Sequence, residues 1–183
     1  MVFQEEQLSG EKKFSGHVVA LRVDQARIGD GSVREREVVE HPGGVSVAVL
    51  TDEDEVLMVR QFRYAQQEVL LELPAGAIEK GEDPKVAAGR ELLEETGYQA
   101  GHLEFLMKTA PNAANSTAYA YCYLATDAEW VAAQHLDAME DVAVEFMDVK
   151  DARRALRKGT FEQAVHVAAL YAALDILEGR EKR

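Results

Sequence analysis

The order of strand-like and helical segments predicts a mixed α/β/α sandwich with a mixed sheet, preceded by an N-terminal β-hairpin. Short apolar runs typical of strands lie on both sides of one well-bounded helix, and two further helical segments follow them. The chain has 183 residues, 47% of them hydrophobic. That length is enough for one domain with its own core and too short for two ordinary ones.

Residues 17–40 predict the hairpin, because two strand-like runs, HVVALRV and VREREVVE, flank a GDGS turn cluster. The sequence HPGG at 41–44 then breaks the chain. We therefore expect an N-terminal β segment over residues 1–42, too small to hold a core alone, and a main domain over residues 43–183.

The main domain is expected to contain six strands and three helices. The strands are predicted at 45–50, 56–63, 69–73, 103–108, 118–125 and 142–147. Asp148 can cap a short helix ending at Gly159, and residues 160–163 resemble a capping box for a last helix ending near Gly179. This last helix has two opposite apolar stripes, which indicates packing on two sides, one of them possible for a second subunit.

The first helix is predicted between Asp83 and Gly97. Asp83 offers an oxygen to a helix N–H, Pro84 has the φ of a first turn, and Gly97 can end the helix in the left-handed conformation. At about 100° per residue, apolar residues and carboxylates are expected on opposite sides. The two sets are Val86, Gly89, Leu92 and Leu93, against Glu91, Glu94 and Glu95.

Three carboxylates one turn apart repel one another unless a cation neutralises them. A hard divalent ion such as Mg²⁺ prefers such oxygen ligands, and the glycine-bearing loop at 76–82 could add backbone carbonyls. A solvated acidic face is the alternative interpretation.

The spacing from Gly76 to Tyr98 resembles the Nudix hydrolase box, G-x5-E-x7-R-E-U-x-E-E-x-G-U, in which U is apolar. Only Tyr98 departs from the usual aliphatic residue. The resemblance implies a Nudix-type sandwich fold. It also implies hydrolysis of a nucleoside diphosphate linked to another group, dependent on Mg²⁺ or Mn²⁺, with roughly two or three ions.

The box also implies roles for its charged residues. Glu82 and Arg90 are expected to hold loop and helix together and so orient the metal ligands. The expected ligands are Glu91, Glu95, the assisting Glu94 and the backbone carbonyl of Ala75. ADP-ribose hydrolases of this family usually take their general base from a later acidic loop, which residues 136–142 resemble. Glu140 is our candidate, with Asp137 and Asp141 as competitors and a solvated acidic turn as the alternative.

Around the box the chain is most similar to the ADP-ribose (nucleoside diphosphate sugar) pyrophosphatase branch. The similarity implies that Arg63 contacts phosphate, with Arg60 or a plain surface charge as alternatives. It places Glu72 near the nucleotide or terminal sugar, or equally as the buried partner of an arginine. The segments that carry it are QFRY at 61–64, LELPAG at 71–76 and EKGE at 79–82.

One departure leaves the substrate open. ADP-ribose hydrolases commonly have Pro-Gly followed by a Glu after the box, whereas here Asn112 follows Pro111 and no acid occurs before Ala125. Other sugar nucleotides, such as GDP-mannose, therefore remain possible. Ser116, in the Asn-Ser-Thr run, could reach a sugar hydroxyl or phosphate, or it could satisfy its own backbone.

The formal net charge of −13 argues against a nucleic-acid-binding surface. Cys122 is alone in an apolar run, which predicts a buried strand residue rather than a nucleophile. No signal peptide or membrane-length apolar run is evident, so we expect a soluble, cytoplasmic protein. Members of the resembled family that have an N-terminal strand pair often dimerise by exchanging it, so the hairpin at 17–40, within the 1–42 segment, and the two-sided last helix predict a homodimer. A non-catalytic ADP-ribose sensor is the competing function, and a nucleoside triphosphate or coenzyme A substrate has no motif in its favour.

Overall fold

The computed structural model describes residues 4–136 and 141–181 of the chain. It contains two compact units. The first comprises residues 1–43 and 110–119, and the second comprises residues 44–109 and 120–183. No helix in the described part of the chain combines the length and the apolarity needed to cross a membrane.

The first unit is built on a three-stranded antiparallel sheet, β1 (Glu6–Ser15), β2 (Ala20–Arg27) and β3 (Val33–Glu40), in that order. The predicted hairpin is confirmed as β2–β3, although β2 begins three residues later than expected and extends further. Strand β1 is an addition, and all ten of its residues are exposed. Residues 110–119 join this unit through Val39, whose N–H donates to the Asn115 carbonyl at 2.7 Å.

The second unit contains a seven-stranded mixed sheet. Its main path runs β10-β5-β4-β9-β8, while β6 pairs with β5 and β7 pairs with β4. Strands β4 and β9 are parallel, and the other recorded pairs are antiparallel. The strands are β4 (Gly44–Leu50), β5 (Glu55–Arg63), β6 (Glu68–Glu72), β7 (Ala75–Ala77), β8 (Tyr98–Thr109), β9 (Ala120–Trp130) and β10 (Val142–Asp148).

Both faces of this sheet are covered by helices. The helices are α1 (Pro84–Thr96), α2 (Val149–Lys158) and α3 (Ala164–Glu181). Along β4, Val47 and Val49 belong to a buried cluster with α1, whereas Ala48 and Leu50 belong to a cluster with α2 and α3. Alternate residues of a strand point to opposite faces, so the sheet lies between the helices. The predicted α/β/α sandwich is confirmed.

The later elements follow the predicted order with shifted ends. Asp148 caps α2 by accepting the Lys150 N–H, and Gly159 ends that helix at φ 71°. The capping box predicted at 160–163 does not form, because α3 begins at Ala164 and Gln163 donates instead to Glu72. Cys122 is buried in β9, as expected, and burial raises its pKa to about 11.

Candidate active site

Helix α1 begins and ends where the sequence predicts. The Asp83 side chain accepts the Lys85 N–H at 2.8 Å, and Pro84 occupies the first turn. Gly97 adopts φ 77°, and its N–H donates to the Leu93 carbonyl at 2.8 Å. These caps satisfy backbone groups that a helix leaves at its ends, and they fix the position of the box glutamates along the chain.

The buried side of α1 does not follow the expected division into an apolar side and a carboxylate side. Val86 is 61% exposed, whereas Glu91 and Glu95 are only 7% and 2% exposed. The two carboxylates share the inner side of the helix with Ala87, Ala88 and Leu92, each fully buried. The reason is tertiary: the segment before the helix supplies contacts that offset the desolvation of these glutamates.

That segment is the chain around β7. The Ala75 N–H donates to Glu95 Oε2 at 2.8 Å. Gly76 lies directly against the Glu91 carboxylate, so that a Cβ at this position would overlap both of its oxygens. A side chain at this position would displace the Glu91 carboxylate, so glycine is favoured by close approach and not by an unusual φ. The contacts bring Ala75, Gly76, Glu91 and Glu95 into one cluster.

Arg90 is the cation of this cluster. Its guanidinium donates to both oxygens of Glu82 at 2.9 and 3.0 Å, to Glu91 at 2.8 Å, to Glu94 at 2.9 Å and to the Ala77 carbonyl at 3.0 Å. Glu82, foremost among these partners, raises the pKa of Arg90 above its usual value. Arg90 in turn, with the Glu79 N–H, lowers the pKa of Glu82. Arg90 thereby ties the loop to the helix.

The donor set suits a divalent cation. Three glutamates, Glu82, Glu91 and Glu94, share the Arg90 guanidinium. Glu91 is also buried on α1, as is Glu95. Carboxylates are ligands for hard divalent ions. Because Gly76 has no side chain, the Glu91 oxygens lie directly against its backbone. Within residues 4–136 and 141–181, however, no three acidic, His or Cys side chains converge as a ready-made ion cage. Glu91 and Glu94 are instead directed to Arg90.

A second polar cluster joins Arg63 and Glu72. Arg63, at the end of β5, donates from Nε and Nη2 to the Glu72 carboxylate, with Nε distances of 3.0 and 3.1 Å. The Glu72 side chain is 1% exposed and that of Arg63 is 32% exposed. The paired geometry favours a buried glutamate that orients a partly exposed arginine.

Two residues that the sequence did not indicate as site residues complete this cluster. Gln163 Nε2 donates to Glu72 Oε1 at 3.1 Å. His166 accepts the Leu73 N–H at Nδ1, at 3.3 Å. Burial, which outweighs the opposing effect of Glu72, lowers the pKa of His166 to about 4, and Arg63 adds to the lowering. No local pattern could have revealed these partners, which are 91 and 93 residues away in the chain.

The remaining candidates lie in other settings. Arg60 forms an exposed ion pair with Glu145, across the β5–β10 pairing. Ser116 belongs to the first unit, and its Oγ accepts the Ala118 N–H at 3.2 Å. Glu140 and Asp137 lie outside the described residues, whereas Asp141 is exposed immediately before β10.

Gln134 lies between the box helix and β10. Its Nε2 donates to the Val142 carbonyl at 3.0 Å and also to the Glu95 carbonyl. The neighbouring His135 N–H donates to the Glu94 carbonyl at 2.9 Å. The last turn of α1 therefore contacts residues 134 and 135, which precede the candidate acidic loop, and Gln134 connects it to Val142 at the end of that loop.

The sequence and the fold of the chain can be compared with those of known proteins. Residues 40–170, more than half of the chain, match the family model described as NUDIX domain. The chain belongs to the Nudix family. The family resemblance drawn from residues 76–98 is thus confirmed. Nudix hydrolases generally depend on a divalent metal ion, and the oxygen donors of α1 are of the type that such an ion prefers.

Similar proteins extend this assignment. This Nudix chain is 38% identical over 180 residues to the ADP-ribose pyrophosphatase of Bacillus subtilis (strain 168), covering 97% of this chain and 85% of the relative. It is 43% identical over 122 residues to the methanol dehydrogenase activator of Bacillus methanolicus, and this match spans 66% of each protein, just under two thirds. A solved "ADP compounds hydrolase" aligns over 100% of both chains with a TM-score of 0.86 at 22% identity, which shows a shared fold.

Proposed function

We propose that this Nudix protein hydrolyses the pyrophosphate bond of ADP-ribose or a related nucleoside diphosphate sugar. The products would be a nucleoside monophosphate and a sugar phosphate. The observation that carries the proposal is the buried approach of Glu91 and Glu95 to Gly76 and Ala75, beside Arg90. The similarity to an ADP-ribose pyrophosphatase over nearly the whole chain supports the substrate class.

In this proposal Glu91 and Glu95 bind Mg²⁺ or Mn²⁺, about two or three ions in all, together with Glu94 and the Ala75 carbonyl. The bound ions would neutralise charge on the pyrophosphate. Arg90 and Glu82 would hold the carboxylates and the loop in place, as their mutual hydrogen bonds suggest. The net charge of the chain is −13, so an anionic substrate would need such bound cations to offset its repulsion from the protein.

Arg63 is the proposed phosphate contact. Its Glu72 partner is buried and would hold one edge of the guanidinium in a fixed plane. Arg60 remains the second candidate, but its partner Glu145 is 36% exposed, against 1% for Glu72, and constrains it less. Glu72 would act through Arg63, and Ser116 is retained as a candidate contact to a sugar hydroxyl or phosphate.

Glu140 is proposed as the general base, with Asp137 and Asp141 as competitors. It would accept a proton from the attacking water. We also propose a homodimer and a cytoplasmic location. Size-exclusion chromatography with light scattering tests the first of these, since a mass near the 20.2 kDa of one chain would contradict a dimer.

The function is tested by phosphate release coupled through alkaline phosphatase. The substrates are ADP-ribose, ADP-glucose, GDP-mannose, UDP-glucose, NADH, ATP and coenzyme A, with Mg²⁺, Mn²⁺ or a chelator. The variants are Glu95→Gln, Glu140→Gln and, as a matched control, the exposed Glu129→Gln. We expect turnover of one or more sugar nucleotides, lost by about 100-fold or more in Glu95→Gln and retained in Glu129→Gln.

The alternatives give different results. A sensor would show no turnover of any substrate, while ADP-ribose still raised the melting temperature of the protein. Turnover restricted to ATP or coenzyme A would contradict the proposed substrate class. Full activity of Glu140→Gln would move the general base to Asp137 or Asp141.

A further inference from the structure

The start of α3 contacts the chain that leads into the candidate active site. Gln163, one residue before α3, donates to the Glu72 carboxylate. His166, in the first turn, accepts the N–H of the next residue, Leu73. Two side chains of one segment therefore bind two consecutive residues at the end of β6.

The same stretch of chain is held at each following residue. The Pro74 carbonyl accepts the Val47 N–H at 2.9 Å, and the Ala75 N–H donates to Glu95. Residues 72–75 are thus anchored in order by α3, by β4 and by α1. The first of these anchored residues is Glu72, which is also the ion-pair partner of Arg63.

The residues joined by these contacts are buried, so water cannot replace a hydrogen bond that is lost there. Glu72 is 1% exposed, Leu73 is fully buried and His166 is 4% exposed. Because Nδ1 of His166 accepts a hydrogen bond, the neutral ring carries its proton on Nε2. A neutral acceptor at this position satisfies the Leu73 N–H, which otherwise would be buried without that partner.

We propose that Gln163 and His166 are positioning residues for the Nudix reaction. Gln163 holds the Glu72 carboxylate that orients Arg63, and His166 holds the backbone that leads to Ala75. The inference rests on the proposed function in two respects: that Arg63 binds a substrate phosphate, and that the Ala75 carbonyl is a ligand of the cation. Neither positioning residue touches the substrate.

The two residues should affect different kinetic constants. In Gln163→Met, a side chain of similar length lacks the donor, so Glu72 loses one hydrogen bond and holds Arg63 less firmly. We expect KM to rise by about 10-fold with little change in kcat, because a phosphate contact from Arg63 would be made equally in the substrate complex and in the transition state. In His166→Leu the backbone before Ala75 loses its acceptor, and we expect kcat to fall by about 10-fold.

Conservative replacement separates positioning from packing. His166→Asn returns an acceptor oxygen near the position of Nδ1, and we expect it to recover most of the kcat lost in His166→Leu. Glu162→Gln is the matched control, because Glu162 is exposed in the same segment. It should leave both constants unchanged.

A second measurement does not depend on activity. Hydrogen exchange and ¹⁵N NMR of the protein without substrate report the Leu73 amide and the Arg63 Nε–H directly. Faster exchange of the Leu73 amide in His166→Leu, reversed in His166→Asn, and a shifted or broadened Arg63 Nε–H in Gln163→Met would support the inference. Unchanged signals in both, or equal loss of activity in His166→Asn and His166→Leu, would overturn it. Absence of turnover in the wild-type protein would contradict the proposed function, while the NMR result would still decide the positioning.

Discussion

Removing the arginine of the buried ion pair should destabilise the fold strongly. In Arg63→Met the aliphatic part of the side chain is kept, but all three hydrogen bonds to Glu72 are lost. Glu72 is 1% exposed, so its carboxylate cannot turn to water, and Gln163 is left as a neutral donor. A buried charge that loses its partner typically costs about 3–5 kcal/mol of stability.

We expect the lower end of that range, because Arg63 is 32% exposed and water already screens part of the pair. A loss of about 3 kcal/mol corresponds to a decrease in melting temperature of about 6–12 °C for a chain of this length. Urea unfolding followed by circular dichroism measures the free energy of unfolding, and calorimetry measures the melting temperature.

Two controls make the test specific. Arg60→Met removes an arginine from the exposed pair with Glu145 on the same strand, and it should cost about 1 kcal/mol or less. The double variant Arg63→Met/Glu72→Leu replaces both charges by apolar groups and should regain most of the lost stability. A cost below about 1 kcal/mol for Arg63→Met, or no recovery in the double variant, would refute the reasoning.

Three further predictions follow from other contacts. Gly76→Ala places a methyl group on the Glu91 carboxylate, so metal-dependent turnover should fall by about 100-fold. Circular dichroism should still show a folded protein, and near-normal turnover would contradict the close approach. Cys122 should resist a thiol reagent at neutral pH until urea unfolds the chain, because burial raises its pKa to about 11; rapid labelling of the native protein would argue against this burial. The lowered pKa of His166, about 4, means that the unfolded chain binds an extra proton between about pH 4 and 6.5, so stability should fall by roughly 3 kcal/mol as the pH drops through that window. Unfolding of wild type and His166→Asn compared across the window isolates this contribution, and identical pH profiles would count against it.

The sequence was sufficient to predict those elements whose stabilising contacts are between residues close together in the chain. Asp83 and Gly97 satisfy the ends of α1 with their own atoms, so the helix could be located from residue types and spacing alone. The same applies to the Asp148 cap of α2 and to the short, nearly continuous apolar run of β4. The family match of the box added the identity of the acidic residues that matter.

Tertiary contacts account for the errors. The division of α1 into an apolar side and an acidic side did not identify its buried side, because Glu95 is satisfied by the Ala75 N–H twenty residues earlier. Strand β1 was missed because all its residues are exposed, so no apolar period marks it. Gln163 was assigned to a capping box because its partner Glu72 is distant in the chain.

The shared inner side of α1 also limits how this protein can be engineered. Ala87, Ala88 and Leu92 fill the space under the helix, and Glu91 and Glu95 project from that same side. Any substitution that changes side-chain volume there would tilt or shift the carboxylates as the helix adjusts. Heat-tolerant variants that keep their activity should therefore be sought among residues outside this layer, such as the exposed positions of α2.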